Sequence, residues 1–156
     1  MSSAKRVLIL CTGNSCRSQM AEGWVRHDLG GRVEVFSAGT HPSTVHPMAA
    51  RVMAEAGVDI SAQTSKSLSR YWGEPFDLVV TVCDAASEAC PAFAGAARQI
   101  HESIPDPAVP SLDDEERLDS FRRVRDRIRR RIVPLVRREL IDPGDGSVTR
   151  SSGRDR

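Results

Sequence analysis

Short apolar runs alternate along the chain with longer stretches in which apolar residues recur every three or four positions. The runs have the length of buried strands, and an unbroken apolar run is typical of a strand covered on both faces. They predict strands over 7–10, 33–37, 76–82 and 99–100. The amphipathic stretches predict helices over 17–29, 48–56 and 118–136. Pro134 lies inside the last pattern and is expected to kink that helix or to limit its end.

This alternation of strands and helices predicts an α/β fold, in which a parallel sheet has helices on both of its faces. A chain of 156 residues suits one domain with one core. We expect a single domain over 1–140 and, over 141–156, a disordered tail that is rich in Gly, Ser and Asp.

Charge and cysteine usage exclude several classes of function. The net charge of +1 gives no overall attraction to nucleic acid, and the arginines of the last predicted helix interleave with its apolar stripe, as on a solvated face. The four cysteines form neither a Cys-x-x-Cys pair nor a zinc-like spacing with the four histidines, which argues against a bound metal. The N-terminal apolar run is too short for a signal peptide or a membrane span. We therefore expect a cytoplasmic monomer without a nucleic-acid or membrane partner, in which paired thiols are catalytic.

The stretch over 7–18 joins a predicted strand to a predicted helix through a small polar loop. It reads Val-Leu-Ile-Leu-Cys-Thr-Gly-Asn-Ser-Cys-Arg-Ser, so that Cys11 and Arg17 frame the loop with the spacing Cys-x5-Arg-Ser. Consecutive N–H groups at such a junction surround an anion, and Arg17 can clamp two oxygens with its planar fork. The same positive field favours the Cys11 thiolate, to which Ser18 can donate a hydrogen bond. The loop residues expected to bind the anion are Thr12, Gly13, Asn14, Ser15 and Cys16.

A second pair of thiols follows the third predicted strand. Cys83 comes directly after that strand, so in a parallel sheet it lies on the same edge as the Cys11 loop. Cys90 is seven residues later, which is about 10 Å along an intact helix, whereas a disulfide needs Cα atoms within about 7 Å. A bond between Cys83 and Cys90 would therefore require the segment to unwind, which is typical of a redox switch.

Asp106 lies in a loop that is stiffened by a proline on each side. A carboxyl group held in this way over a pocket can protonate a departing oxygen, so we expect Asp106 to be a general acid. The acidic run over 113–116 is expected to be only the solvated start of the last helix.

The segment that begins at Cys11, Cys-Thr-Gly-Asn-Ser-Cys-Arg-Ser-Gln-Met-Ala-Glu-Gly-Trp, resembles the signature of the low-molecular-weight protein tyrosine phosphatase superfamily. More narrowly, the chain resembles the thioredoxin-coupled arsenate reductases built on that fold. The resemblance covers residues 5–138 and includes Ser37-Ala-Gly-Thr, Ile60-Ser-Ala-Gln-Thr-Ser, both downstream cysteines and Asp106-Pro-Ala. It implies a three-layer flavodoxin-like fold with four parallel strands.

The resemblance also implies a reaction. Arsenate would be reduced to arsenite in a relay of Cys11, Cys83 and Cys90, with thioredoxin as the reductant and no tightly bound cofactor. Phosphate and sulfate would compete with arsenate. Relatives linked to glutaredoxin or mycothiol share the loop, so the identity of the reductant stays open. The phosphatases also carry a cysteine at the position of Cys16, so we expect Cys16 to contribute a backbone donor and no redox step.

Some reductases of this family hold a potassium ion near the loop. The matching positions here are Asn14, Glu22, Ser37 and Thr64. Lys66 stands where those members carry an acidic residue, so we expect its ammonium group to take the place of the cation and to pair with Glu22.

Two other functions stay open at this point. A low-molecular-weight protein tyrosine phosphatase would use Cys11, Arg17, Ser18 and Asp106 without the second cysteine pair. Such phosphatases tend to carry aromatic residues after the acid, whereas Pro-Ala-Val-Pro follows here, which favours a small inorganic oxyanion. A non-catalytic module for oxyanions or phosphoproteins would bind tightly without turnover.

Overall fold

The structure is a computed structural model, and it describes residues 4–89 and 92–142. Cys90 therefore lies outside the described residues, as does the predicted tail beyond Asp142.

Four strands form one sheet in which every neighbouring pair is parallel. They are β1 (Lys5–Cys11), β2 (Val33–Gly39), β3 (Leu78–Thr81) and β4 (Gln99–His101), in the order β2-β1-β3-β4. All four predicted strands are present. The third is shorter than predicted because Phe76 lies outside the ladder and makes an isolated bridge with Ala96.

Four α-helices connect and follow the strands: α1 (Arg17–Leu29), α2 (Pro47–Glu55), α3 (Asp84–Ala89) and α4 (Asp114–Val136). The acidic run begins α4, because Asp113 and Glu116 form a reciprocal capping box, with Asp113 accepting from the Glu116 N–H at 2.8 Å. Pro134 does not end α4, which continues to Val136 and then widens into a π-helical turn over Arg137–Ile141. None of the helices in the described part of the chain combines the length and apolar character needed to cross a bilayer.

The two faces of the sheet are covered differently. On one face α1, α2 and α4 bury a continuous core that includes Ile9, Met20, Met53 and Phe121. On the other face, Leu8 and its neighbours pack against a cluster of aromatic side chains and a one-turn 3-10 helix over Leu68–Arg70. The predicted three-layer α/β fold is confirmed, and in the described part of the chain this short helix and the aromatic cluster cover the second face.

The strand order fixes where a ligand can enter. The chain passes from β1 to β2 on one side and then crosses to β3 on the other, so the connections reverse direction between β1 and β3. Parallel α/β sheets bind ligands at the carboxyl ends of the strands beside such a switch point. Cys11 ends β1 and Cys83 follows β3, so both thiols lie at this crevice.

Candidate active site

Cys11 is buried at the end of β1 and its sulfur has two hydrogen-bonding neighbours. Its Sγ atom lies 2.8 Å from the Ser18 hydroxyl and accepts from the backbone N–H of Asn14 at 3.2 Å. Only 2% of the residue is exposed to solvent. The predicted contact between Ser18 and the thiol is therefore present, and the sulfur faces the loop that is predicted to bind an anion.

Asn14 is the centre of the hydrogen-bond network beneath this loop. It has a φ of 48°, in the left-handed region that only glycine and asparagine adopt readily, and it is fully buried. Its side-chain amide donates to the hydroxyls of Ser18 at 2.8 Å and Ser37 at 2.9 Å, and its Oδ1 atom accepts from the Lys66 N–H at 2.8 Å. Its side chain thus supports the loop from below rather than forming the wall of the anion pocket.

Glu22 extends the network but does not pair with Lys66. One of its carboxylate oxygens accepts from the Ser37 hydroxyl and the other from Arg26, each at 2.5 Å. The expected pairing of Lys66 with Glu22 is wrong, because Arg26 lies one helical turn away and takes the carboxylate. The Lys66 ammonium group instead donates to the Thr64 carbonyl oxygen at 2.5 Å. Burial lowers the pKa of Lys66, and the nearby Glu22 charge partly offsets that effect.

A pocket of about 270 Å³ opens above the loop and contains most of the predicted substrate-binding residues. Arg17 forms one wall, and its guanidinium donates to the Ile104 carbonyl oxygen at 3.1 Å, which ties it to the loop that carries the acid. Asp106 also lines this pocket. Its Oδ1 atom accepts from the Ala108 N–H at 3.0 Å, so the carboxyl group is held in a turn and remains exposed to the pocket. The lining residues from the loop are Cys11, Thr12, Gly13, Ser15, Cys16 and Arg17.

Cys83 lies next to this loop. It is buried, and its Sγ atom is 3.2 Å from the hydroxyl of Thr12, the residue that follows Cys11. The helical segment expected between the second pair of thiols is present as α3, which begins directly after Cys83. The structure thus places two of the three predicted relay cysteines at one crevice, and the third, Cys90, is not among the described residues.

Cys16 differs from the other two described thiols. Burial raises its pKa to about 11, so it is a neutral thiol near pH 7. That Cys16 contributes a backbone donor and no redox step stays a prediction.

Two polar residues at the site were not predicted from the sequence. His46 lines the pocket, its backbone N–H donates to the Ser15 carbonyl at 3.0 Å, and its Nδ1 atom caps α2 by accepting from the Met48 N–H at 3.1 Å. Burial lowers the pKa of His46, and the Arg117 charge lowers it further. Gln19 is fully buried and donates to the carbonyl oxygens of Asn14 and Thr64. The sequence did contain a signal for Gln19, which is a polar residue within the apolar pattern of the first predicted helix.

Comparisons with known proteins agree with this geometry. The family model for low molecular weight phosphotyrosine protein phosphatase matches residues 6–142. An arsenate reductase from Halalkalibacterium halodurans is 47% identical over 128 residues, which are 82% of this chain and 92% of that protein.

Two solved structures extend the comparison. An arsenate reductase in the phosphate-binding state has a TM-score of 0.74 at 33% identity and covers 86% of this chain and 98% of its own. A thioredoxin-dependent arsenate reductase from Corynebacterium glutamicum has a TM-score of 0.59 at 29% identity, and the match covers 83% of this chain and 60% of that protein. The predicted resemblance is confirmed: the chain belongs to the low molecular weight phosphotyrosine protein phosphatase family, in the group that its arsenate reductase relatives form.

Proposed function

We propose that this protein reduces arsenate to arsenite through a relay of Cys11, Cys83 and Cys90. The observation that carries the proposal is the position of a second thiol, Cys83, beside the nucleophile loop. Its Sγ atom lies 3.2 Å from the hydroxyl of Thr12. A phosphatase needs one nucleophilic thiol, whereas a reductase needs a second thiol that can reach the first. The similarity to arsenate reductases at 33–47% identity supports the same function.

The first step is nucleophilic attack by the Cys11 thiolate on arsenic, which forms an S–As bond. The loop N–H groups and the Arg17 guanidinium hold the arsenate oxygens during this attack. Asp106, which lines the same pocket, protonates the departing hydroxyl group so that it leaves as water.

The second step transfers the electrons. The Cys83 thiolate attacks the Cys11 sulfur, an S–S bond forms, and the S–As bond breaks with its electron pair left on arsenic. Arsenic(V) thereby becomes arsenic(III) and arsenite leaves. Cys90 then attacks Cys83 and frees Cys11, so that the oxidised enzyme carries a Cys83–Cys90 disulfide.

The reductant that reopens this disulfide is a dithiol protein, and we propose thioredoxin. The similarity to a thioredoxin-dependent arsenate reductase supports this partner. We also propose that no potassium ion is needed. Thr64 is one of the residues that match the potassium site of the relatives, and the Lys66 ammonium group already donates a hydrogen bond to its carbonyl oxygen.

Hydrolysis of phosphate esters is the second candidate function, since the Cys11 loop and the family are shared with phosphatases. The acid loop presents Ala108 to the pocket, and the residues after Asp106 provide no aromatic ring to pack against a phenyl phosphate. We expect this activity to be weak.

A coupled assay tests the proposed function. The reduced protein is mixed with arsenate, thioredoxin, thioredoxin reductase and NADPH, and arsenite is measured together with NADPH oxidation. We expect one NADPH to be consumed per arsenite, and little activity when glutaredoxin and glutathione replace thioredoxin. Efficient turnover with glutaredoxin alone would refute the thioredoxin assignment. Rapid hydrolysis of an aryl phosphate without arsenite formation would make the protein a phosphatase.

A further inference from the structure

Helix α4 carries eight arginines, and five of them are paired with acidic residues. The pairs include Arg122 with Glu55 at 2.7 Å and Arg129 with Asp28 at 2.9 Å. The other paired arginines are Arg117, Arg125 and Arg131. Within residues 4–89 and 92–142, the side chains of the remaining three, Arg123, Arg127 and Arg130, form no hydrogen bond or ion pair.

The three unpaired arginines share one pocket. They are spaced by four and three positions, so they lie on one face of α4. Together with Pro105, Asp106 and Val109 of the acid loop they line a pocket of about 510 Å³, which we call the arginine pocket. Asp106 also borders the pocket above Cys11, so the two pockets adjoin at this residue.

The charge of the arginine pocket is not balanced by the protein. Two carboxylates line it, and Asp126 is already paired with Arg125 at 2.8 Å, which leaves Asp106 alone against three guanidinium groups. Three guanidinium groups that face one cavity repel one another, and an anion between them removes this repulsion.

Arg127 is the least exposed of the three arginines. Its Nε atom is buried and has no hydrogen-bond partner in the described part of the chain, so the protein leaves this guanidinium uncompensated. Its terminal Nη groups remain to contact a ligand in the pocket. In a fork-like contact, two N–H groups of one guanidinium bind two oxygens of the same oxyanion.

We propose that the arginine pocket binds a second tetrahedral oxyanion, arsenate or phosphate, beside the one held above Cys11. Arg127 provides the fork from the helix, and Arg123 and Arg130 provide the flanking charges. An oxyanion held there lies in a pocket that shares Asp106 with the catalytic pocket, so the site raises the local concentration of substrate at the entrance. The proposal does not depend on the thiol relay.

Nuclear magnetic resonance of the arginine Nε–H groups tests this site directly. The reduced, 15N-labelled protein is titrated with inorganic phosphate at constant ionic strength, with chloride as the replaced ion. The Arg127 signal is identified by its loss in Arg127→Lys, and the Gly13 amide reports the catalytic pocket. We expect a saturable shift of the Arg127 signal, with a Kd of its own.

Two double variants distinguish the site from general charge. In Arg123→Gln/Arg130→Gln we expect the Kd read at Arg127 to rise at least about tenfold, while the Kd read at Gly13 changes less than about twofold. Arg122→Gln/Arg131→Gln removes the same charge from the same helix but outside the pocket, and should leave both values within about twofold.

Three results would overturn the proposal. The first is a linear drift of the Arg127 signal that chloride reproduces. The second is a shift that follows Gly13 with the same Kd and is unaffected by Arg123→Gln/Arg130→Gln. The third is weaker reduction by thioredoxin in that variant with no change in phosphate binding, which would make the arginines a protein-docking surface.

Discussion

The two thiol-bearing segments of the crevice are held in different ways. Beneath Cys11, the side chains of Asn14, Ser18 and Ser37 are fully buried and hydrogen-bonded to one another. Cys83 is followed by α3, which has six residues, of which Ala86 alone is buried. A helix this short has little stability of its own. The difference indicates that the oxyanion end of the site is preorganised, whereas the segment that the proposed Cys83–Cys90 disulfide would require to unwind is held by few contacts.

Removing the nucleophile should have the largest effect. We expect Cys11→Ser to lower arsenate reduction and aryl phosphate hydrolysis at least about 10⁴-fold, because both reactions begin with that sulfur. Cys16→Ser is the matched control in the same loop. Burial keeps Cys16 a neutral thiol, with its pKa raised to about 11, so we expect its loss to cost less than about tenfold. Equal losses in the two variants would contradict the assigned roles.

Cys83→Ser separates the two chemistries of the site. We expect arsenate reduction to fall more than about 10³-fold, since a serine hydroxyl cannot attack the Cys11 sulfur to form a disulfide. Aryl phosphate hydrolysis should stay within about threefold of the wild-type rate. The serine hydroxyl can keep the contact with Thr12, so the unfolding midpoint in urea should barely move. A parallel loss of both activities would show that Cys83 only supports the loop.

Asn14→Ala tests the rigid half of the comparison. It removes one hydrogen bond from each of the Ser18 and Ser37 hydroxyls and leaves the Lys66 N–H without its partner, so we expect a loss of about 2–4 kcal/mol in the free energy of unfolding. Because the φ of 48° strains alanine, Asn14→Gly should be less destabilising by about 1 kcal/mol.

The matching change in α3 is Ala85→Gly, at an exposed position of that helix. We expect it to cost no more than about 1 kcal/mol in urea denaturation. If Ala85→Gly destabilised the protein as much as Asn14→Ala, the two segments would not differ as the structure indicates.

His46 makes the rigid loop sensitive to acid. Its lowered pKa means that the folded protein binds fewer protons at this residue than the unfolded chain does. Stability should therefore fall as the pH drops below the ordinary histidine pKa of about 6.5, because a protonated Nδ1 cannot accept from Met48. His46→Asn keeps a helix cap without the titration. Between pH 7.5 and 5.5 we expect wild type to lose more stability than this variant, by less than about 1 kcal/mol.

The exchange of monovalent cations should have the smallest effect. If Lys66 makes a potassium ion unnecessary, replacing potassium by sodium at fixed ionic strength changes kcat/KM for arsenate by less than about twofold. A large stimulation by potassium would show that the Lys66 ammonium group does not perform this role.

The sequence predicted the parts of the site that follow from local patterns or from the edge of a parallel sheet, as for Cys83, and missed individual side-chain contacts between segments. An apolar run and the Cys-x5-Arg-Ser spacing are local, so β1, the loop and α1 could be placed in advance. His46, which caps α2, also contacts the loop through a hydrogen bond from its backbone N–H to the Ser15 carbonyl oxygen. That contact depends on tertiary packing, and no local sequence pattern encodes it. Glu22 pairs with Arg26 rather than with Lys66 because Arg26 lies one turn away on the same helix, and the residue types alone do not show which of the two bases takes the carboxylate.

The most direct test of the relay uses a single turnover without any reductant. Reduced protein is incubated with arsenate, arsenite is quantified, and the disulfides are mapped by mass spectrometry. The proposed mechanism predicts one arsenite per chain and a Cys83–Cys90 disulfide, with Cys11 again a free thiol. A Cys11–Cys83 disulfide as the end state, or no arsenite at all, would contradict it.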